Sequence, residues 1–391
     1  MMGRRFLIAA FAGGMSFATI SVAIPLELSA LGAHPGLVGA VLAAGTGSVA
    51  AGAACAGAAA SVLGGRRTLA LALAISGIGT LVLGATGSTP GVTTAAVLVG
   101  LGIGLFWVAS HLVLGQRAGN AGSEVGFLTH YAAYTLGAVI GSACTGLIVA
   151  GATHSGFAAC TGVRLAAMLG TAATICGLVA WLPLAERGTA PARRTRLGPA
   201  THLAVQVPDL LLVAGWALLL PLAPVVLSEG YGLGPLAIGV VMSALSVAKI
   251  GGMFVARALS RRRGPRRTTV VMLAGAAALC LSLCIAGGAS VFVAVLLATT
   301  VATAGAWPLV VDAAQARVPP ERRQGLSVVW NAREYVVVAA ATFVAGRVLG
   351  AFSSAAPLFV LAAILIGAAA LVAAAVTRRP VWRGGPQGAA Q

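Results

Sequence analysis

Charge is what this sequence has least of. Of its 391 residues 8% are charged, eight are acidic, and Lys249 is the only lysine. A water-soluble domain is roughly one-quarter charged, because solvent must wet its surface. So few charges exclude an ordinary soluble globule of this length. They exclude chemistries too. An ATP-driven pump carries Gly-x4-Gly-Lys-Ser/Thr, whose amides and lysine hold phosphate, whereas Ser246-Val247-Ala248 precede Lys249. A Mg²⁺-dependent membrane enzyme needs clustered acids, and here every acid stands alone in sequence. No catalytic residues and no cofactor are expected. The six cysteines, at 55, 144, 160, 176, 280 and 284, include no C-x-x-C pair. Cys280 and Cys284, one helical turn apart, are too few to hold a metal, so free thiols and no metal site are expected.

Apolar residues fill the space. They make up 59% of the chain, the mean hydropathy is +0.99, and 53 glycines accompany abundant alanine. Lipid must replace water around such a chain, and small residues let helices approach closely in lipid. The net charge of +17 comes from arginines in short clusters between apolar runs. They form no single face that could follow nucleic-acid phosphates, and no such partner is expected.

About 20 helical residues cross a bilayer. Runs of that order fall at 6–28, 36–60, 69–86, 92–114, 125–149 and 163–184, then at 207–227, 236–256, 269–288, 290–313, 326–349 and 356–376. Turn residues separate them, as at Ala33-His34-Pro35-Gly36 and Gly232-Leu233-Gly234-Pro235. Alternate connections collect 21 of the 25 basic residues: 4–5, 66–67, 117, 187–196, 257–267, 317–323 and 378–383. Positively charged loops stay in the cytoplasm. Twelve spans with both termini cytoplasmic, in the inner cell membrane, are therefore expected. Met1 to about Ala18 also has the make-up of a cleaved signal peptide. Its apolar run continues through Val22 without a loop, and cleavage would leave an odd number of spans, so an uncleaved first helix is preferred.

The chain repeats itself. At an offset of 200, Gly32 falls on Gly232, Pro35 on Pro235, Gly39 on Gly239, Gly64 on Gly264, Arg66-Arg67-Thr68 on Arg266-Arg267-Thr268, Trp107 on Trp307 and Arg117 on Arg317. At 199, Gly126 meets Gly325 and Gly151 meets Gly350. Six spans per copy make the copies parallel in the membrane. The expected organisation is a six-helix bundle over 1–184, a cytoplasmic connector over 185–206 and a second bundle over 207–391.

With this organisation the sequence resembles the major facilitator superfamily of transporters over nearly its whole length. Gly57, Ser61, Gly64, Arg66 and Arg67 match the family's loop between helices 2 and 3, with Ser61 where an aspartate is usual. In the family that acid helps to latch the two halves. Gly137, Gly141 and Gly146, with Ser142 and Thr145 between them, resemble a motif of drug-type antiporters, and also fit ordinary small-residue packing. The basic residue common in helix 4 of such exporters is missing.

Few ionisable residues are left inside spans, where a charge costs from about 2.5 to over 10 kcal/mol. Lys249 lies eight residues before Arg257, roughly 12 Å from the arginine-rich edge at 1.5 Å per residue, beyond easy snorkelling. Glu334 lies at a similar depth in the eleventh run, on a polar stripe with Asn331, Tyr335 and Thr342. Both are expected to face one polar cavity, with Glu334 as the proton-coupling carboxylate. Asp312 is a second candidate for coupling, or an ion-pair partner of Arg333. Glu27 and Arg347 read as anchors at span ends, and His111 and His130 as hydrogen-bonded residues between helices. The resemblance implies a cavity lined by helices 1, 4, 7 and 10. Trp107, Trp216 and Trp307, with Tyr134, fall near mid-depth and form either core packing or an aromatic binding surface. Lys249, Arg333 and Asn331 complete the expected substrate contacts. The expectation is a monomeric proton-coupled exporter of small amphipathic drugs or metabolites; solute uptake by symport and a transport-inactive sensor are the alternatives.

Overall fold

The computed structural model describes residues 2–115, 123–185, 203–315, 320–352 and 354–376. These residues are helical apart from turns and connections, with no strand among them. Twelve helices are long and apolar enough to cross a bilayer: α1 Gly3–Ala30, α2 Pro35–Leu63, α3 Gly65–Ala85, α4 Thr89–Leu114, α5 Thr129–His154, α6 Ala159–Pro183, α7 Gln206–Gly230, α8 Pro235–Arg263, α9 Pro265–Ile285, α10 Ala289–Ala314, α11 Val329–Ala351 and α12 Ala356–Ala375.

Local chemistry sets their ends. Pro35, Pro235 and Pro265 open α2, α8 and α9, where a residue without an N–H forfeits no helical bond. Gly64 alone joins α2 to α3, at φ +80°, and Gly264 joins α8 to α9 at φ +79°. Gly32 and Gly232 turn the preceding connections at φ +73° and +65°. Each pair is 200 residues apart, so the repeat in the sequence is also a repeat of backbone conformation. Glycine is needed there because side chains disfavour positive φ. Many hydroxyls inside helices are satisfied locally: Thr299, Thr300 and Thr303 of α10 donate to the carbonyls of Val295, Leu296 and Thr299 at 2.8, 2.9 and 2.9 Å.

The first helix of each half is irregular. A π turn spans Thr19–Ala23 in α1 and another spans Val226–Gly230 in α7. Pro25 and Pro224 stand beside these turns, where a missing N–H and a bulky ring disturb the regular ladder. The helix of α7 begins at Leu203, four residues ahead of the expected run. Most of the expected connector, with Arg187, Arg193, Arg194 and Arg196, lies outside the described residues, as do Arg117, Arg317, Arg378, Arg379 and Arg383.

The two halves meet tightly at one end. Gly39 of α2 lies against Gly346 of α11, so close that a Cβ on Gly39 would stand 2.5 Å from Gly346 Cα. Gly146 of α5 crosses Gly239 of α8, where the corresponding distance is 2.8 Å. These crossings are copies of one another at the offset of 200. Both lie toward the helix ends remote from the arginine clusters. There a single apolar core runs from Val22, Leu28, Val38 and Val149 of the first half into the second. Toward the arginine-rich end the first half keeps a core of its own, built on Phe6, Leu69, Leu73, Phe106 and Trp181. Ala332 of α11 packs against that core, so the halves touch here too, but their close backbone crossings lie at the other end.

Candidate functional site

A cavity of about 220 Å³ lies between the halves. Phe17 of α1, Trp107 and His111 of α4, and Tyr131, Tyr134 and Thr135 of α5 line it from the first half. Leu212, Val213 and Trp216 of α7, Ser246, Lys249 and Met253 of α8, Thr303 and Trp307 of α10, and Asn331, Glu334 and Tyr335 of α11 line it from the second. The structure thus brings together Glu334, Lys249, Asn331, Trp107, Tyr134, Trp216 and Trp307. It leaves out Asp312, which is exposed near the arginine-rich end of α10, and Arg333. The Nη1 of Arg333 is buried with no hydrogen-bond partner among the described residues.

Lys249 and Glu334 share the cavity but do not form an ion pair. The ammonium of Lys249 instead stands over two aromatic faces, 5.1 Å from the ring centre of Trp216 and 5.7 Å from that of Phe17. A cation–π contact supplies about 0.5–2 kcal/mol, while withdrawing an ion from water costs several. The rings alone therefore do not offset the burial. Glu334 is better supplied: Trp307 donates its indole N–H to Glu334 Oε1 at 3.0 Å.

A second carboxylate escaped the sequence reading. Asp209 of α7 is fully buried and accepts the indole N–H of Trp330 at Oδ2, 2.6 Å away. One turn earlier Gln206 Nε2 donates to the Trp330 carbonyl at 3.2 Å. Together they tie α7 to α11 just behind the cavity. The available signal was Leu203-Ala204-Val205, apolar residues that carry the helix upstream of 207 and so draw Asp209 inside. Glu27 is likewise fully buried, with Arg164 Nε of α6 at 3.8 Å, a structural pair and not the span-end anchor expected. Arg164 is one of the few basic residues outside the arginine-rich loops, which was the sign of it. His130 was expected to hydrogen-bond between helices. It stacks on Phe6 and Phe106 at 4.8 and 5.7 Å, and its ring nitrogens find no partner among the described residues.

The architecture recurs in solved transporters. A POT family transporter in complex with a thioalcohol-conjugated peptide superposes with a TM-score of 0.78 over 96% of both chains, at 11% identity. The inward-open xylose transporter XylE from E. coli gives 0.75 at 14% identity, covering 98% of this chain and 97% of that one. A D-xylose-proton symporter gives 0.76 at 13%, over 95% and 96%. Residues 209–391 match the family model of the Major Facilitator Superfamily. The chain has the Major Facilitator Superfamily fold. At these identities the solved structures speak to fold alone, and no curated protein matches the sequence.

On the Major Facilitator Superfamily fold the motif residues take definite places. Gly57 borders open space, the Ser61 hydroxyl donates to the Ala58 carbonyl of its own helix at 2.8 Å, and Arg67 is exposed. The Arg66 carbonyl accepts the indole N–H of Trp181 at 2.8 Å, fixing the Gly64 turn to α6. Gly137 packs on the Phe11 backbone and Gly141 on Ala18, both in α1, while Gly146 makes the crossing with α8. These three glycines give α5 two close helix neighbours at once.

Proposed function

We propose that the chain is a secondary active transporter, exchanging protons for a small amphipathic organic molecule and exporting it by alternating access. One observation carries this reading: Glu334 lines a cavity built from both halves of a transporter fold. A carboxylate there meets the water of the cavity, can take up a proton, and loses the charge that would be costly to move past an apolar closure. Asp209 does not line the cavity, so Glu334 is assigned the coupling and Asp209 the bracing of α7 against α11.

The close glycine crossings fit one of the two access states, the one shut at the end remote from the arginine clusters. Rocking the halves about the cavity would open the crossings and close the other end. Arginine-rich loops are retained in the cytoplasm, which makes this the cytoplasm-facing state of a monomer in the cell membrane. Substrate would then enter from the cytoplasm as Glu334 releases its proton, and leave outside as Glu334 is protonated again. Uptake by symport is the second reading, favoured by the proton symporter among similar folds; against it, most of the cavity surface is apolar and aromatic.

The test is flux in proteoliposomes under an imposed pH gradient, comparing wild type with Glu334→Gln over a panel of compounds. Export by exchange requires substrate to move against the proton flow, and the variant to lose that dependence. Unchanged coupling in the variant removes Glu334 from the mechanism. Co-directional movement establishes symport, and binding without any movement leaves a sensor.

A further inference from the structure

We infer that the molecule carried is a small organic anion whose acidic group sits at Lys249 and whose apolar or aromatic body lies against Trp107 and Trp216. This deepens the transport reading and rests on it. Two side chains of opposite charge line the cavity centre, and the protein provides for them unequally. Glu334 receives an indole N–H from Trp307. The ammonium of Lys249 has three N–H donors, and among the described residues it meets neither a carboxylate nor a hydrogen-bond acceptor, only the faces of Phe17 and Trp216. The cavity therefore presents a cation with no countercharge beside it among the described residues.

Other substrates fit less well. A cation placed at Lys249 would be repelled by it, and a neutral molecule would bring it no countercharge. An anion satisfies it, and the surrounding rings accept an apolar body. Position adds a reason. Phe17 belongs to α1 in the first half and Trp216 to α7 in the second, so an anion at Lys249 touches both halves at once. Size limits the candidates: 220 Å³ is below the ~300–1,000 Å³ of pockets for drug-sized ligands, which suits one ring with one acidic group.

The experiment uses three probes that share a phenyl ring and differ in charge: benzoate, benzyl alcohol and benzylamine. Each is titrated into the purified full-length protein in nanodiscs, following quenching of tryptophan fluorescence. Benzoate is expected to bind about tenfold or more tightly than the other two, as a charge-assisted contact provides. Lys249→Gln should abolish that preference and Lys249→Arg should keep it. The ranking within the wild-type protein stands even if Lys249→Gln fails to fold. Equal or tighter binding of benzylamine or benzyl alcohol, no benzoate binding at all, or an intact benzoate preference in a folded Lys249→Gln protein overturns the inference. The transport reading fails separately: no compound would then cross proteoliposomes, whatever the ranking at Lys249.

Discussion

Trp330 of α11 gives its indole N–H to Asp209 of α7 at 2.6 Å, inside a membrane-spanning helix pair where both side chains are buried. Asparagine in place of Asp209 keeps an oxygen for that N–H, whereas leucine fills similar space and offers none. Asp209→Leu should lower stability by roughly 1–3 kcal/mol, the cost of a stranded buried donor, and Asp209→Asn should cost less. Thermal unfolding in detergent measures both. Asp209→Asn should also keep pH-driven transport; its loss in a folded protein would move the coupling assignment to Asp209.

Glu334→Gln separates coupling from carriage. Exchange of labelled for unlabelled substrate without a pH gradient should continue, because both access states remain reachable without moving a proton. Accumulation driven by the gradient should disappear. A variant that abolished both would indicate a structural or substrate-binding role for Glu334.

The glycine crossings set the closed end. Gly39→Val places a branched side chain where Gly346 Cα already stands 2.5 Å from a Cβ, and Gly239→Val does the same against Gly146. Either should hold that end apart and shift the population toward the opposite access state. Spin labels at Leu37 and Phe352, both exposed, should report a longer distance in Gly39→Val. An unchanged distance with full transport would show that the crossing tolerates bulk and does not gate.

Glu27 and Arg164 should behave as one unit. Arg164→Gln leaves a fully buried carboxylate without its cation. The cost should be about 1–3 kcal/mol, below the 3–5 seen for fully buried pairs, because Arg164 keeps 37% of its surface exposed. Adding Glu27→Gln should restore most of the loss, and unfolding of the single and double variants tests this.

Gly64→Ala and Gly264→Ala should each cost about 1–3 kcal/mol, since both require positive φ for a residue with a side chain. Similar losses at the two positions would follow from their matching backbone angles of +80° and +79°.

Much of this was legible in sequence because it depends on short-range rules. Proline and glycine mark helix ends wherever they fall, apolar length marks a crossing, and positions 32 and 232 or 64 and 264 impose the same turn whatever surrounds them. Glu334 and Lys249 stood out as charges that neither a loop nor the membrane surface could reach. Asp209 was hidden by a boundary: counting the seventh crossing from 207 left it near the edge, and its burial depends on Trp330, 121 residues away.

The sequence by itself determined twelve helices, their pairing into two parallel copies and the short list of charges that lipid must accommodate, since each follows from composition and local backbone preference. Tertiary structure alone decided which charges meet. It set Lys249 over Phe17 and Trp216 instead of beside Glu334, gave Glu334 to Trp307, and closed one end through Gly39 and Gly346. Those outcomes depend on how far each helix is turned and how closely it approaches its neighbours, and interhelical packing fixes both.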